Sequence, residues 1–233
     1  MAFSGIDVSE WQSYIDWSKV NKDFAILRSS YGSSTEDECF RANAEGCIRY
    51  GIGLGAYHFV YATNVEEALD NANFFIKTLS LYKGKVNYPV ACDFEYDSLR
   101  YMRKYGVEPT RSRVNEIVRA FCKRVEEGGY YVMVYTNYDL YNTYFFELSD
   151  EFDIWYALWD NDPADDHNIV QYSDEGRVPG IDGNVDLDMA FPDFPKLFRE
   201  RGLNHIGSDD DDEDNTIHLT AKPGDHIEID VEG

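Results

Sequence analysis

No stretch of this chain approaches the ~20 consecutive apolar residues that would cross a bilayer. Its start, Met1-Ala2-Phe3-Ser4-Gly5-Ile6-Asp7, lacks the basic opening and apolar run of a secretory leader. Neither a membrane span nor a signal peptide is therefore expected in the sequence as it stands. Cysteine is scarce: Cys39, Cys47, Cys92 and Cys122 form no C-x-x-C pair and have no metal-type histidine spacing nearby. Cys39 and Cys47 fall in one helical pattern, ~12 Å apart along its axis, too far for a disulfide. All four read as reduced core thiols, and no metal or cofactor is expected. The five histidines are scattered, and no Gly-x-Ser-x-Gly nucleophile motif is present. His58 reads as a buried, hydrogen-bonded residue. Positive charge is also short, 21 Lys and Arg against 44 Asp and Glu, a net −23. Such a chain is repelled by nucleic acid and by anionic membranes, so neither is expected as a partner. Residues 208–233 hold ten acidic residues and one basic one, yet the body before them is acidic as well.

Aromatics are plentiful, with 18 Tyr, 14 Phe and 4 Trp, enough for a large core with rings left over for a binding surface. Short apolar runs alternate with longer amphipathic ones, the pattern of βα units around a parallel sheet. Strands are expected at 4–8, 24–29, 54–61, 88–94, 131–136, 153–159, 168–172 and 185–189, and helices at 36–50, 65–82 and 111–127. Eight strands suggest a closed barrel, made irregular by the shortened connections after Tyr131. Gly51-Ile52-Gly53-Leu54-Gly55 lies between a helix and a strand and reads as a helix cap and tight turn, not as a phosphate cradle. The expected organisation is a barrel over residues 1–206, an acidic linker at 207–215 and a short tail at 216–233 that could form a hairpin. The acidic run lacks the glycine and terminal glutamate spacing of a calcium loop.

In Tyr88-Pro89-Val90-Ala91-Cys92-Asp93-Phe94-Glu95, an apolar strand ends in two carboxylates. Side chains alternate across a strand, so Asp93 and Glu95 share one face. If Val90, Cys92 and Phe94 pack outward on helices, the two acids face the mouth at the C-terminal end of the barrel, where barrel active sites lie. Two close carboxyls in a partly dry site cannot both ionise easily, which suits acid-assisted cleavage of a glycosidic bond. The alternative is that the pair caps a helix or lies in a solvated loop. Asp7 ends the first strand and Asp186 lies in the last one. Closure makes those two strands neighbours, so four acids can meet at one mouth. Tyr57, Phe59 and Tyr61 share a strand face, and Tyr135, Trp159 and Gln171 lie at or near strand ends. With Ser9 they are candidate sugar contacts, since ring faces suit sugar C–H groups and amides suit hydroxyls.

Taken in order, Gly5-Ile6-Asp7-Val8-Ser9-Glu10-Trp11-Gln12, Gly55-Ala56-Tyr57-His58-Phe59, Asp93-Phe94-Glu95, Val170-Gln171-Tyr172-Ser173 and Gly180-Ile181-Asp182-Gly183-Asn184-Val185-Asp186-Leu187-Asp188 resemble glycoside hydrolase family 25. These are the Chalaropsis-type lysozymes of bacterial muramidases and phage endolysins, and the resemblance spans about residues 3–192. It implies an α/β fold, an irregular TIM-like barrel of five βα units followed by additional strands. It also implies hydrolysis of the β-1,4 bond between N-acetylmuramic acid and N-acetylglucosamine in peptidoglycan. By position, Glu95 matches the general acid/base and Asp93 its partner, with Asp7 and Asp186 as two further active-site acids. The nucleophile is left open between a carboxylate and the acetamido oxygen of the substrate.

On this reading the partner is the glycan strand of peptidoglycan, and the protein works outside the cell on the bacterial wall. It would be held in the cytoplasm until lysis or would have lost a leader. A silent glycan-binding barrel and a chitinase-like hydrolase are the competing readings. No wall-binding repeat is evident after Phe191, and the sequence carries nothing on oligomeric state.

Overall fold

The structure, a computed structural model, describes residues 2–159 and 167–207. The expected tail at 216–233 and all but the first residue of the expected linker lie outside the described residues.

The strands are β1 (Phe3–Val8), β2 (Phe24–Tyr31), β3 (Thr35–Glu36), β4 (Gly53–Phe59), β5 (Val90–Asp93), β6 (Val132–Asn137), β7 (Ile154–Ala157), β8 (Ile169–Gly176) and β9 (Val185–Ala190). The helices are α1 (Phe40–Tyr50), α2 (Val65–Leu79), α3 (Tyr96–Lys104), α4 (Arg111–Glu127), α5 (Tyr138–Leu140), which continues as irregular turns to Asp150, and α6 (Phe194–Arg201). The sheet runs β1-β9-β8-β7-β6-β5-β4-β2, and a parallel β1–β2 pairing closes it into an eight-stranded barrel, with β3 hanging on the edge of β2. From β1 to β8 the barrel strands run parallel; β9 lies antiparallel to both β8 and β1. This reversed strand brings its first residues to the end of the barrel where the other strands finish.

Two apolar layers hold the barrel. Val90, Cys92 and Phe94 of the β5 segment face outward onto helices, whereas Ala91 joins Phe24, Ile26, Met133 and Trp155 inside. Helix α4 buries Val114, Ile117, Val118, Phe121, Cys122 and Val125 at the three-and-four spacing of one face. Each such large side chain contributes about 1.5–3 kcal/mol when fully buried. Helix α6 lies against the opposite end of the barrel from the strand C-termini, packing Phe194 on Tyr88 and Phe198 on Tyr131. One end is plugged with rings, and the other is free to carry polar groups.

Local sequence explains most element ends. Asn64 caps α2 by accepting from Glu67 N–H at 3.0 Å, and Thr110 caps α4. Gly51 ends α1 at φ 70°, a left-handed conformation that glycine adopts without strain. Two residues further on, a Cβ at Gly53 would meet the Tyr88 ring at 2.3 Å. The glycine-rich turn therefore serves chain reversal and close packing.

Some boundaries depart from the sequence expectation. The helix expected from 36 begins at Phe40, because Thr35–Glu36 pairs with β2 and the Asp37 carboxylate folds a turn by accepting from Cys39 N–H at 2.9 Å. Cys39 is consequently half-buried, unlike the core thiols Cys47, Cys92 and Cys122. Helices α3 and α6 were not legible in the sequence, since each is under three turns long. β1 returns to β2 through two 3-10 turns, Glu10–Gln12 and Trp17–Lys19, instead of a full helix. His58 is buried between Ser30 (2.8 Å) and Asn71 (3.1 Å), and burial pushes it down to about 4, so it is neutral. Among the described residues, no helix is long and apolar enough to cross a membrane.

Candidate active site

β5 ends at Asp93, and Phe94 and Glu95 continue it in extended backbone until Glu95 takes the N-cap position of α3. The reading of this pair as helix-capping is thus half met, for Glu95 alone. Its N–H donates to the Ser98 hydroxyl at 3.2 Å, and that hydroxyl donates to Val60 C=O at 2.7 Å. Glu95 is therefore fixed at both its strand and its helix side. Alternation then aims Asp93 and Glu95 into the barrel mouth.

Asp7, Tyr57, Asp93, Glu95, Tyr135, Gln171 and Asp186 line one cavity of about 90 Å³, together with Trp155. Asp7 and Asp186 are direct cross-strand partners on β1 and β9. Gln171 organises this side: its amide nitrogen donates to Asp7 Oδ2 at 2.7 Å and reaches Asp186 Oδ2 at 3.4 Å. Its carbonyl oxygen accepts from the Tyr135 hydroxyl at 2.9 Å and from Trp159 Nε1 at 3.1 Å. The cavity opens into a larger one of about 700 Å³, where Glu95 and Tyr135 are joined by Tyr96, Tyr138 and Trp159. This is an aromatic-walled groove with a carboxyl at its inner end.

The electrostatics favour protonated acids. Burial raises Asp93 well above the usual carboxylate range, and the neighbouring Glu95 adds to this, with Arg28 pulling the other way. Glu95 is raised as well, chiefly by burial; the hydrogen bond from Asp93 opposes this, and Asp97 and Asp186 reinforce it. Both members of the pair are therefore biased towards the protonated form. Burial also lifts Asp7 well above its ordinary value, with Asp188 and Asp186 adding to the effect. Asp186 is pushed up to about 6, mainly by burial and then by Asp174.

The remaining candidates lie elsewhere. Phe59 pairs in register with Asp93 and packs on Tyr61 at 5.0 Å, but neither ring lines the two cavities. Ser9 is buried and caps the first 3-10 turn, its hydroxyl accepting from Trp11 N–H at 3.3 Å.

Three contributors were missed in the sequence. Asp188 is fully buried, accepts from Trp155 Nε1 at 2.8 Å, and is pushed up to about 8, first by burial. The two-residue alternation that paired Asp93 with Glu95 also pairs Asp186 with Asp188 and could have found it. Trp155 carries no such signal, being one more ring in an apolar strand. Arg28 shares the inward face with Ile26, and a lone cation in the apolar run of β2 was the available clue. It binds Glu10 at 2.7 Å and Asp37 at 2.8 Å, and its charge is felt by Asp93. Among the described residues, no cluster of His, Cys, Asp and Glu suits a metal ion.

The family model for glycosyl hydrolases family 25 matches residues 6–181. Lysozyme M1 of Streptomyces globisporus is 29% identical over 197 residues, covering 78% of this chain and 65% of that protein. The uncharacterised Escherichia coli protein YegX is 28% identical over 197 residues, covering 79% of this chain and 68% of its own length. Among solved structures, the modular autolysin LytC of Streptococcus pneumoniae, determined with a synthetic peptidoglycan ligand, superposes with a TM-score of 0.70 at 26% identity. That match covers 82% of this chain and 47% of LytC, so the chain spans about half the length of that relative.

Proposed function

The chain belongs to the glycosyl hydrolases of family 25, and from that premise we propose that it is a peptidoglycan hydrolase of the bacterial cell wall, a lysozyme cutting the β-1,4 bond between N-acetylmuramic acid and N-acetylglucosamine. The observation that carries this reading is the Asp93–Glu95 pair, two carboxyls lining one cavity at the inner end of an aromatic groove. The lysozyme and autolysin names of its relatives, and the peptidoglycan ligand of LytC, support the substrate class.

In this mechanism Glu95 protonates the glycosidic oxygen as the C1–O bond breaks, and the 2-acetamido oxygen of the substrate attacks C1 to close an oxazolinium ring. Asp93 accepts a hydrogen bond from the acetamido N–H. That contact favours the Asp93 anion, while burial favours the protonated form of Glu95, the group that must deliver the proton. Water then opens the ring with Glu95 as base, so the configuration at C1 is retained. Asp7, Asp186 and Gln171 form the facing wall. Tyr57, Tyr135 and Trp159 are the proposed substrate contacts, with Trp159 and Tyr135 set directly in the groove beside Glu95, whereas Phe59, Tyr61 and Ser9 line neither cavity.

The test is reducing-end analysis of digested peptidoglycan. New muramic acid ends are expected, whereas new glucosamine ends would place the cut at the other bond. NMR of the first-formed product should show retention, and net inversion would rule out acetamido participation. If wild type and Glu95→Gln were equally inert while both bound glycan, the protein would be a silent binder.

A further inference from the structure

A second cavity, of about 720 Å³, lies beside the loop that leaves β1, with Trp11, Tyr14, Trp17, Glu10, Glu38 and Cys39 on its walls. Its volume is in the roughly 300–1,000 Å³ range of small-ligand sites. Trp17 and Ile15 form a buried floor, the Trp17 indole N–H donating to Asn43 at 3.2 Å. Trp11 and Tyr14 are instead 78% and 84% exposed, although each would gain from burial.

The loop that presents these two rings is tied by local hydrogen bonds. Ser9 and Gln12 form a reciprocal cap around it, Ser9 N–H donating to Gln12 Oε1 at 2.9 Å and Trp11 N–H to Ser9 Oγ at 3.3 Å. Between the rings, Ser13 holds φ 52°, a conformation costing about 1–3 kcal/mol that persists only where its surroundings impose it. A loop that accepts strain in order to hold two large rings in water is built for contact.

We propose that this groove is a second saccharide site, holding a neutral N-acetylhexosamine stretch of the glycan away from the acid cavity. The inference rests on the hydrolase reading for its substrate class. Three features select a neutral sugar. No lysine or arginine lines the groove, so an anionic polymer finds no counter-charge there. The Glu10 carboxylate is already paired with Arg28 at 2.7 Å, so its charge is largely spent within the protein. What remains is ring faces for sugar C–H groups and carboxylate and amide acceptors for hydroxyls. Glu10 on the groove wall is joined by its ion pair to Arg28, on the inward face of β2.

Cys39 supplies a readout independent of turnover, because the other three cysteines are buried. The N-acetylglucosamine tetramer should slow iodoacetamide alkylation of Cys39 in a saturable way. Protection should vanish in Trp11→Ala/Tyr14→Ala and persist in Trp11→Phe/Tyr14→Phe. On long soluble glycan strands the alanine pair should raise KM about tenfold, equivalent to about 1.4 kcal/mol. On a four-sugar fragment, kcat/KM should stay within about twofold. Failure of the hydrolase reading would appear separately, as a wild type that releases no reducing ends while the tetramer still protects Cys39. The proposal is overturned if the tetramer gives no protection, if only a lysine-bearing stem peptide protects, or if both substrates lose equally.

Discussion

Asp7 and Asp186 stand directly opposite each other on the antiparallel strands β1 and β9, and the amide nitrogen of Gln171 reaches both, at 2.7 Å and 3.4 Å. Like charges facing across strands are destabilising. The pair is tolerated because burial favours the neutral form of each acid and because Gln171 supplies the nearest donor. The amide oxygen is used as well, by Tyr135 and Trp159, so one side chain ties the acid wall to the aromatic groove.

Replacing Gln171 with Leu leaves Asp7 without that donor and the buried Tyr135 hydroxyl without that acceptor. The expected loss is about 1–3 kcal/mol of stability per buried group left unmet. Thermal melts at pH 5 should show a clear fall; an unchanged Tm would mean that the bridge does not hold this wall together.

Glu95→Gln keeps the shape of the site and removes its proton donor. Loss of general acid–base catalysis should lower kcat by about 10²–10⁴, while the Tm holds or rises because two crowded acids become one. Assays of released reducing ends and a melt of the same sample check both halves.

Asp188 controls a pH dependence of stability. Its folded value of about 8 lies above the unfolded carboxylate value of ~3.9, so the folded state binds the proton more tightly. Its stabilising contribution is complete below about pH 4 and is lost as pH rises through about 8. Asp188→Asn removes this titration, so the fall in Tm between pH 4 and pH 8 should be shallower than in wild type. Tm changes by roughly 2–4 °C per kcal/mol in a chain of this size. Parallel slopes for the two proteins would contradict the assignment.

Gly5→Ala tests the barrel interior. A Cβ there would meet the Phe24 ring at 2.2 Å, and that ring is stacked on Tyr88 at 4.5 Å, so it has little room to retreat. Overpacking of this kind costs about 1–3 kcal/mol, to be read as a lower denaturation midpoint.

Much of this protein was written in local pattern. Alternation along 88–95 placed Asp93 and Glu95 on one face and Val90, Cys92 and Phe94 on the other, because a strand has a period of two whatever surrounds it. Three-and-four spacing marked α4 for the same reason, and the ordered motifs from Gly5 to Asp188 identified the family. Short-range chemistry could not show which distant residues share a cavity. Closure of β1 onto both β2 and β9 set Asp7 against Asp186, and the reversed direction of β9 turned the start of that strand into part of the mouth. Gln171 could reach Asp7, 164 positions away, only once the barrel had closed. The raised proton affinities of Asp93, Asp186 and Asp188 are likewise tertiary, since each comes first from burial, with Glu95, Asp174 and Asp186 respectively adding to it. The chain itself determined which acids point inward; barrel closure decided which of them meet, and how dry their meeting place is.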